Sequence, residues 1–435
     1  MAQTYPDRLE IVPFERPPHA QVLPPGSKSI TNRALVLAAL SSRGRPSILT
    51  NALESEDTEV MIDSLRRLAY QVTVDWPTQR VTVYNPEPQR LVPARRADLF
   101  VANSGTSMRF LTAMVSLASG QYRLDGVPRM RERPIRDLLD ALAQFGVRAR
   151  SEHADGCPPV LVEADGWHAD RVTIRGATSS QFVSGLLLAA PFRTPPGAIT
   201  RIEIEGPLVS EPYVALTLAM LRQWGLRVER PQAAAFEVPG DQQGHRPLYK
   251  VEPDASAASY WLALAAILGG TITIPDLGRG SLQGDVRFAE VLARMGCDVK
   301  ITETTVTARG GVLRGVDVDM NDISDTVMTL AAVACFAEGP TTIRNVAHIR
   351  HKETDRIAAL ATELRRLGAT VDEQDDGLKV TPAPMHGAAL ETYNDHRMAM
   401  SLALIGAKVP GVVIKNPGCV AKTYPRFFEE LDKLR

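Results

Sequence analysis

The chain's 435 residues, 44% hydrophobic and 23% charged, have the balance of a soluble globular protein and enough length for two or three domains. Forty-nine Lys and Arg against 50 Asp and Glu leave a net charge of −1, which argues against general nucleic-acid binding but permits a local basic pocket. The scattered Cys157, Cys297, Cys335 and Cys419 argue against a metal cluster or redox motif and fit a reducing cytosol; residues 1–15 lack an apolar signal core, and no apolar run reaches the ~20 residues of a membrane span.

In chain order, two kinds of helix alternate. The first follows Pro-Gly-Ser-Lys-Ser-Ile-Thr-Asn-Arg at 25–33, where a tight turn, hydroxyls, a lysine and an arginine meet a helix start. Free N–H groups and the helix dipole favour an anion there. The order is not that of a nucleotide phosphate loop, which places two glycines around four residues before Lys and Ser/Thr. Further small-residue, apolar helices are expected from near Ser107, Ser180, Ser256, Asp325 and His396, ending near Gly120, Pro191, Gly269, Gly339 and Gly411, with the first ending near Gly44. Such helices, apolar nearly all round, must be buried.

Between them runs a second phrase, a charged helix ending Leu-x-x-apolar-Gly. It appears at Leu142–Gly146, Leu221–Gly225, Leu292–Gly296 and Leu364–Gly368, more loosely at Leu65–Ala69, and truncated at Phe428–Leu431. The glycine reads as a helix C-cap, and the alternation after it as a strand. The marks recur about every 70–80 residues, longer than a solenoid repeat, so six units of strand, buried helix, strand, surface helix and further strands are expected.

Polar residues gather where the buried helices begin: Lys28 and Arg33, then Arg109, then Ser179, Ser180 and Gln181, then Asp254, Asp325, and His396 with Arg397. Simple N-capping accounts for Ser179, Asp254 and Asp325. It does not account for Arg109 or Arg397, because the helix dipole disfavours cations at that end. The loops before the surface helices add Arg129-Met130-Arg131-Glu132-Arg133, whose arginines need anions nearby or a solvated turn, and His351-Lys352-Glu353-Thr354-Asp355-Arg356. Glu353 there reads as a charge-tuned acid/base or as a surface salt bridge. With Lys422, the cations suit substrates carrying phosphate and carboxylate, and Asp325 and Glu353 suit general acid/base work.

Six stretches in order resemble the enolpyruvyl transferase family, along nearly the whole chain: Pro-Gly-Ser-Lys-Ser at 25–29, Asn-Ser-Gly-Thr-Ser-Met-Arg at 103–109, Pro-Arg-Met-Arg-Glu-Arg-Pro at 128–134, Ser-Ser-Gln-Phe at 179–182, Lys-Glu-Thr-Asp-Arg at 352–356 and Asn-Asp-His-Arg-Met-Ala-Met at 394–400. The resemblance implies an α/β fold of two similar domains, each of three βαβαββ units with buried parallel helices and outer sheets (an inside-out α/β barrel). One domain would be residues 24–252 and the other 1–23 with 253–435, with the active site in the cleft between them.

Within the family, the resemblance is to the branch that joins the enolpyruvyl group of phosphoenolpyruvate to the 5-hydroxyl of shikimate 3-phosphate by addition and elimination. It implies that Ser29, Arg33, Ser179, Ser180, Gln181, Ser210, His348 and Lys352 contact shikimate 3-phosphate, and that Lys28, Gly105, Arg129, Gln181, Arg356, Arg397 and Lys422 surround phosphoenolpyruvate. Asp325 would take the hydroxyl proton and Glu353 would donate one. No metal or organic cofactor, no nucleic acid and no membrane partner is implied, and a cytoplasmic monomer is expected. The chain departs from the family's pattern at His348, frequently Asn, and at Phe110, often Pro. The branch acting on UDP-N-acetylglucosamine usually has Lys-Asn in place of Lys28-Ser29 and a loop cysteine that is missing from 121–134. A non-catalytic phosphosugar-binding protein would not need Asp325 and Glu353.

Overall fold

A computed structural model describes residues 5–435. Its contacts divide the chain into two units: Gly26–Val251, and the segment up to Pro25 together with Glu252–Arg435. We call them the middle unit and the terminal unit.

The helices are α1 (Lys28–Ser41), α2 (Glu56–Arg67), α3 (Gly105–Val115), α4 (Arg136–Gln144), α5 (Ser180–Ala189) and α6 (Glu211–Gln223) in the middle unit. The terminal unit has α7 (Ala255–Leu268), α8 (Phe288–Arg294), α9 (Val327–Ala334), α10 (Arg356–Arg366), α11 (His396–Gly406) and α12 (Phe427–Lys433). The odd-numbered helices are the buried ones: every residue of α3, α9 and α11 is buried. Alanine, serine and glycine at so many positions let helix backbones approach closely, as Gly185 of α5 does with the Arg109 carbonyl of α3. The even-numbered α2, α4 and α10 bury one face and turn their charges outward.

Each full repeat makes a four-stranded sheet in which the first two strands pair in parallel and the others antiparallel. Arg96–Phe100 pairs in parallel with Ser119–Asp125, which pairs antiparallel with Val160–Asp165, and that with Arg148–Ser151. A parallel pair needs a crossover, and a buried helix supplies it where the partners are consecutive, as α3 does between Arg96–Phe100 and Ser119–Asp125 and α5 between Arg171–Arg175 and Ile199–Glu205. One sheet face lies on the helices and the other meets solvent, hence the alternating burial of Arg96–Phe100 and Arg171–Arg175.

Strands are exchanged along the sequence. His19–Gln21 pairs in parallel with Thr271–Pro275 far downstream, and Leu248–Lys250 closes the first repeat beside Ser47–Thr50. The last repeat is short: Arg8–Glu10 completes a three-stranded sheet with Val413–Lys415 and Ala389–Leu390.

Gly146, Gly225, Gly296 and Gly368 each have positive φ just past the surface helices, the left-handed cap that glycine adopts without steric cost. In the loose copy Ala69 takes the same conformation, at φ 67°. Among the described residues no helix is long and apolar enough to cross a membrane.

One expected helix start moves. α9 begins at Val327, and Asp325 lies before it in a 3-10 turn, Asn321–Thr326. The N-cap position of α9 falls on Thr326 rather than Asp325, and the Asp325 carboxylate is turned toward the guanidinium groups of Arg356 and Arg397.

Candidate active site

In the middle unit, α1, α3 and α5 all start on extended residues, Ser27, Ser104 and Ser179. The Ser104 and Ser179 hydroxyls accept from the Ser107 and Gln181 amides, so these helices are capped by their own turns. At α1, half-buried Lys28 pairs with the buried carboxylate of Asp57, at 3.1 Å. Asp57 is a partner that sequence reading missed. Ser29 is half-buried and its carbonyl accepts from Arg33.

Arg33 is only 1% exposed and extends into the helix interior. It donates to Thr217 Oγ1 at 2.8 Å, the Ser29 carbonyl at 3.0 Å, the Tyr213 carbonyl at 3.2 Å and Ser184 Oγ at 3.3 Å. No carboxylate is among these partners. Burial lowers its pKa to about 10, leaving it charged at neutral pH. Its guanidinium sits 5.0 Å from the Phe110 ring centroid. Phe110 thus supplies an aromatic face that the proline usual at this position lacks.

The arginine-rich loop resolves into separate partnerships. Arg129 donates to Glu132 at 2.8 Å, and Arg131 grips Asp125 with two bonds, at 2.9 and 2.7 Å. Arg133 turns inward, 3% exposed, and donates to the carbonyl and side-chain oxygens of Asn103. Arg131 and Glu132 are exposed and Arg133 is buried, so the dense arginines divide between the solvated side of the turn and its inner side. Arg109 donates to the Pro134 carbonyl at 3.0 Å and lies over the Phe182 ring, so its place near a helix start has a local explanation. Ser180, Ser210 and Gly105 are buried, while Ser179 and Gln181 are half-buried. Ser210 holds a left-handed conformation (φ 51°) immediately before α6.

The terminal unit gathers charges of both signs. Arg356 is 1% exposed and meets three carboxylates: Asp395 at 2.8 Å, Glu353 at 3.0 Å and Asp325 at 3.2 Å. Burial pulls its pKa down, but Asp395, Glu353 and Asp325 together hold it above the usual arginine value. Arg397 donates to the other oxygen of Asp325 at 2.8 Å and to the Tyr260 hydroxyl at 3.4 Å. Buried Lys422 stands 3.9 Å from Glu353. Glu353 is therefore buried in a network, which sets aside the surface salt-bridge reading.

Asp395 holds Arg356 and also caps α11 through the Arg397 amide. Its position beside His396 lay within a quoted stretch, but its bond to a residue 39 positions away did not show in the sequence. Asp285 and Tyr260 were also missed. Asp285 is buried, bonded to the Ser256 hydroxyl, and pushed up to about 7 by burial and by the Asp325 charge.

His348, 8% exposed, pairs through Nε2 with Ser324 Oγ at 2.9 Å. Burial, then the Lys352 charge, lower its pKa to about 3, so it is neutral like the asparagine usual there. Lys352 is half-buried. Among the described residues no group of three or more His, Cys, Asp or Glu is placed to hold a metal ion.

The family model described as EPSP synthase (3-phosphoshikimate 1-carboxyvinyltransferase) matches residues 16–431. The 3-phosphoshikimate 1-carboxyvinyltransferase of Nostoc punctiforme is 45% identical over 432 residues, 98% of this chain and 100% of that protein. The protein of the same name from Thiobacillus denitrificans is 48% identical over 93% of this chain and 94% of its own. Among solved structures, EPSP synthase from Acinetobacter baumannii superposes with a TM-score of 0.80 over 98% of both chains at 24% identity.

Proposed function

This chain belongs to the EPSP synthase family and carries out the 3-phosphoshikimate 1-carboxyvinyltransferase step of aromatic amino-acid biosynthesis, and from that premise we propose how its residues divide the work. The observation that carries the reading is the meeting of Asp325 and Glu353 on one buried guanidinium, that of Arg356, beside Arg397 and Lys422.

The middle unit supplies anion-holding groups: Lys28, Gly105, Arg129 and Gln181 for phosphoenolpyruvate, and Ser29, Arg33, Ser179, Ser180, Gln181 and Ser210 for shikimate 3-phosphate. The terminal unit supplies Arg356, Arg397 and Lys422 for phosphoenolpyruvate, and His348 and Lys352 for shikimate 3-phosphate. Neutral His348 keeps an uncharged hydrogen-bonding side chain at a position where asparagine is frequent, which lets it stand in for asparagine. The protein works as a cytoplasmic monomer without a metal or organic cofactor.

The reaction is an addition followed by an elimination. Asp325, ionised between two guanidinium groups, takes the proton of the 5-hydroxyl as its oxygen attacks C2 of phosphoenolpyruvate. Glu353 delivers a proton to C3. It can do so because the substrate's carboxylate and phosphate compete for Arg356 and Lys422, and weakening those ion pairs raises the proton affinity of Glu353. In the elimination the Glu353 carboxylate takes a proton back from the C3 methyl as the C2–O bond to phosphate breaks, giving the enolpyruvyl ether, and the proton held by Asp325 leaves with the phosphate.

Phosphate release by the purified protein tests this. Release is expected only with shikimate 3-phosphate and phosphoenolpyruvate together, and undiminished by EDTA. Release with UDP-N-acetylglucosamine as the acceptor instead would sink the reading, and no release with any acceptor would point to a binding protein.

A further inference from the structure

Arg133 is absent from the set above, yet it is the arginine of its loop that turns inward. Its guanidinium donates to the Asn103 carbonyl at 2.9 Å and to Asn103 Oδ1 at 3.2 Å. Asn103 lies two residues before Gly105, in the turn that starts α3. Arg109, on α3, donates in the opposite direction, to the carbonyl of Pro134 beside Arg133. The two segments are thus tied twice, once from each side.

Both guanidinium groups also crowd Gly105. A Cβ placed there would stand 2.5 Å from Arg109 Nη1 and 2.6 Å from Arg133 Nη2, so only glycine leaves them room. Arg129, four residues before Arg133, pairs with exposed Glu132 at 2.8 Å. Between Arg129 and Arg133, buried Met130 and the Arg133 anchor hold the backbone of the loop against the unit.

We propose that Arg133 is a positioning residue for phosphoenolpyruvate: through Asn103, with Arg109 as its reciprocal, it clamps the loop bearing Arg129 against the helix start bearing Gly105. The proposal rests on the assignment of Arg129 and Gly105 to phosphoenolpyruvate. Lysine keeps the charge at 133 but lacks the planar fork that spans both Asn103 oxygens.

Arg133→Lys is expected to raise KM for phosphoenolpyruvate about tenfold, while KM for shikimate 3-phosphate stays within about twofold. Trypsin should nick the loop after Arg129 or Arg131 faster than in the unaltered protein. Asn103→Ala, which spares the guanidinium and the carbonyl at 103 but removes the Oδ1 acceptor, should give a smaller split in the same direction, and carries the test if Arg133→Lys does not fold. Equal effects on the two KM values, no change in either, or an unaltered rate of nicking would overturn the clamp. If the unaltered protein releases no phosphate from the substrate pair, the functional reading itself falls. An active unaltered protein with an unselective variant overturns the clamp alone.

Discussion

Arg33 of the middle unit and Arg356 of the terminal unit are both buried guanidinium groups beside helix starts in the same kind of repeat, yet their surroundings differ. Arg33 donates to hydroxyl and carbonyl oxygens only. Arg356 meets three carboxylates. A buried charge bonded only to neutral oxygens keeps its net field, and an external phosphate is the partner that field favours. A charge met by carboxylates is already compensated, and its effect is to orient and ionise those carboxylates. On the proposed assignments, one scaffold makes a unit of anion-holding groups and a second unit that adds proton-moving carboxylates to its own anion-holding cations.

The most damaging way to break this contrast is Glu353→Gln. The amide keeps an oxygen for Arg356 but can neither give nor take the proton. Turnover should fall by about 10²–10⁴-fold with both KM values changed only a few-fold, as read by steady-state phosphate release. Near-normal turnover would remove Glu353 from proton transfer and leave the terminal unit as a second anion binder.

How much of the contrast could be read in the sequence depended on how far each partner lay along the chain. Caps are local: Ser179 and Asp254 bond amides two and three residues on, so residue type and position sufficed. The repeat was legible because glycine C-caps and small-residue helices recur at each copy. The partners of the charges were not, since Lys28–Asp57, Arg33–Thr217 and Arg356–Asp395 depend on how helices pack. For the same reason Asp325 read as a cap: residue type and position allow it, and only Arg356 and Arg397, placed by other helices, show where its carboxylate turns. Arg133 was hidden by its neighbours, because three arginines in five positions look alike until packing turns one inward.

A smaller effect sharpens the comparison from the side of pH. Asp285 faces the hydroxyl of Ser256 and lies within the fields of Asp325, Arg397 and Asp254. Its carboxyl titrates at about 7 in the folded protein and near 3.8 as an unperturbed group. Between those values the native state holds a proton that the unfolded chain has released, so stability declines as pH rises from about 4 to about 7 and levels off above. Asp285→Asn removes that decline. The variant should match the parent near pH 4 and exceed it by up to about 4 kcal/mol at pH 8, as read by urea unfolding at both values. An equal change at both pH values would mean that Asp285 does not carry a proton in the fold, and would weaken the picture of a terminal unit crowded with carboxylates.

The smallest effect concerns the middle unit, at Phe110. Its ring lies 5.0 Å from the Arg33 guanidinium and is buried between helices. Phe110→Leu removes the aromatic face and some volume but adds no polar group. The cation–π contact contributes about 0.5–2 kcal/mol, and the smaller side chain costs about 1 kcal/mol more in lost packing. If Arg33 is held mainly by its bonds to Thr217, Ser29, Ser184 and Tyr213, the variant should lose about 1–3 kcal/mol of stability while KM for shikimate 3-phosphate changes by less than about threefold. A rise well beyond that, with the fold intact, would show that the ring aims the guanidinium. The middle unit would then hold its uncompensated charge in place by aromatic packing, and the contrast with the carboxylate-held Arg356 would be wider than hydrogen bonds alone make it.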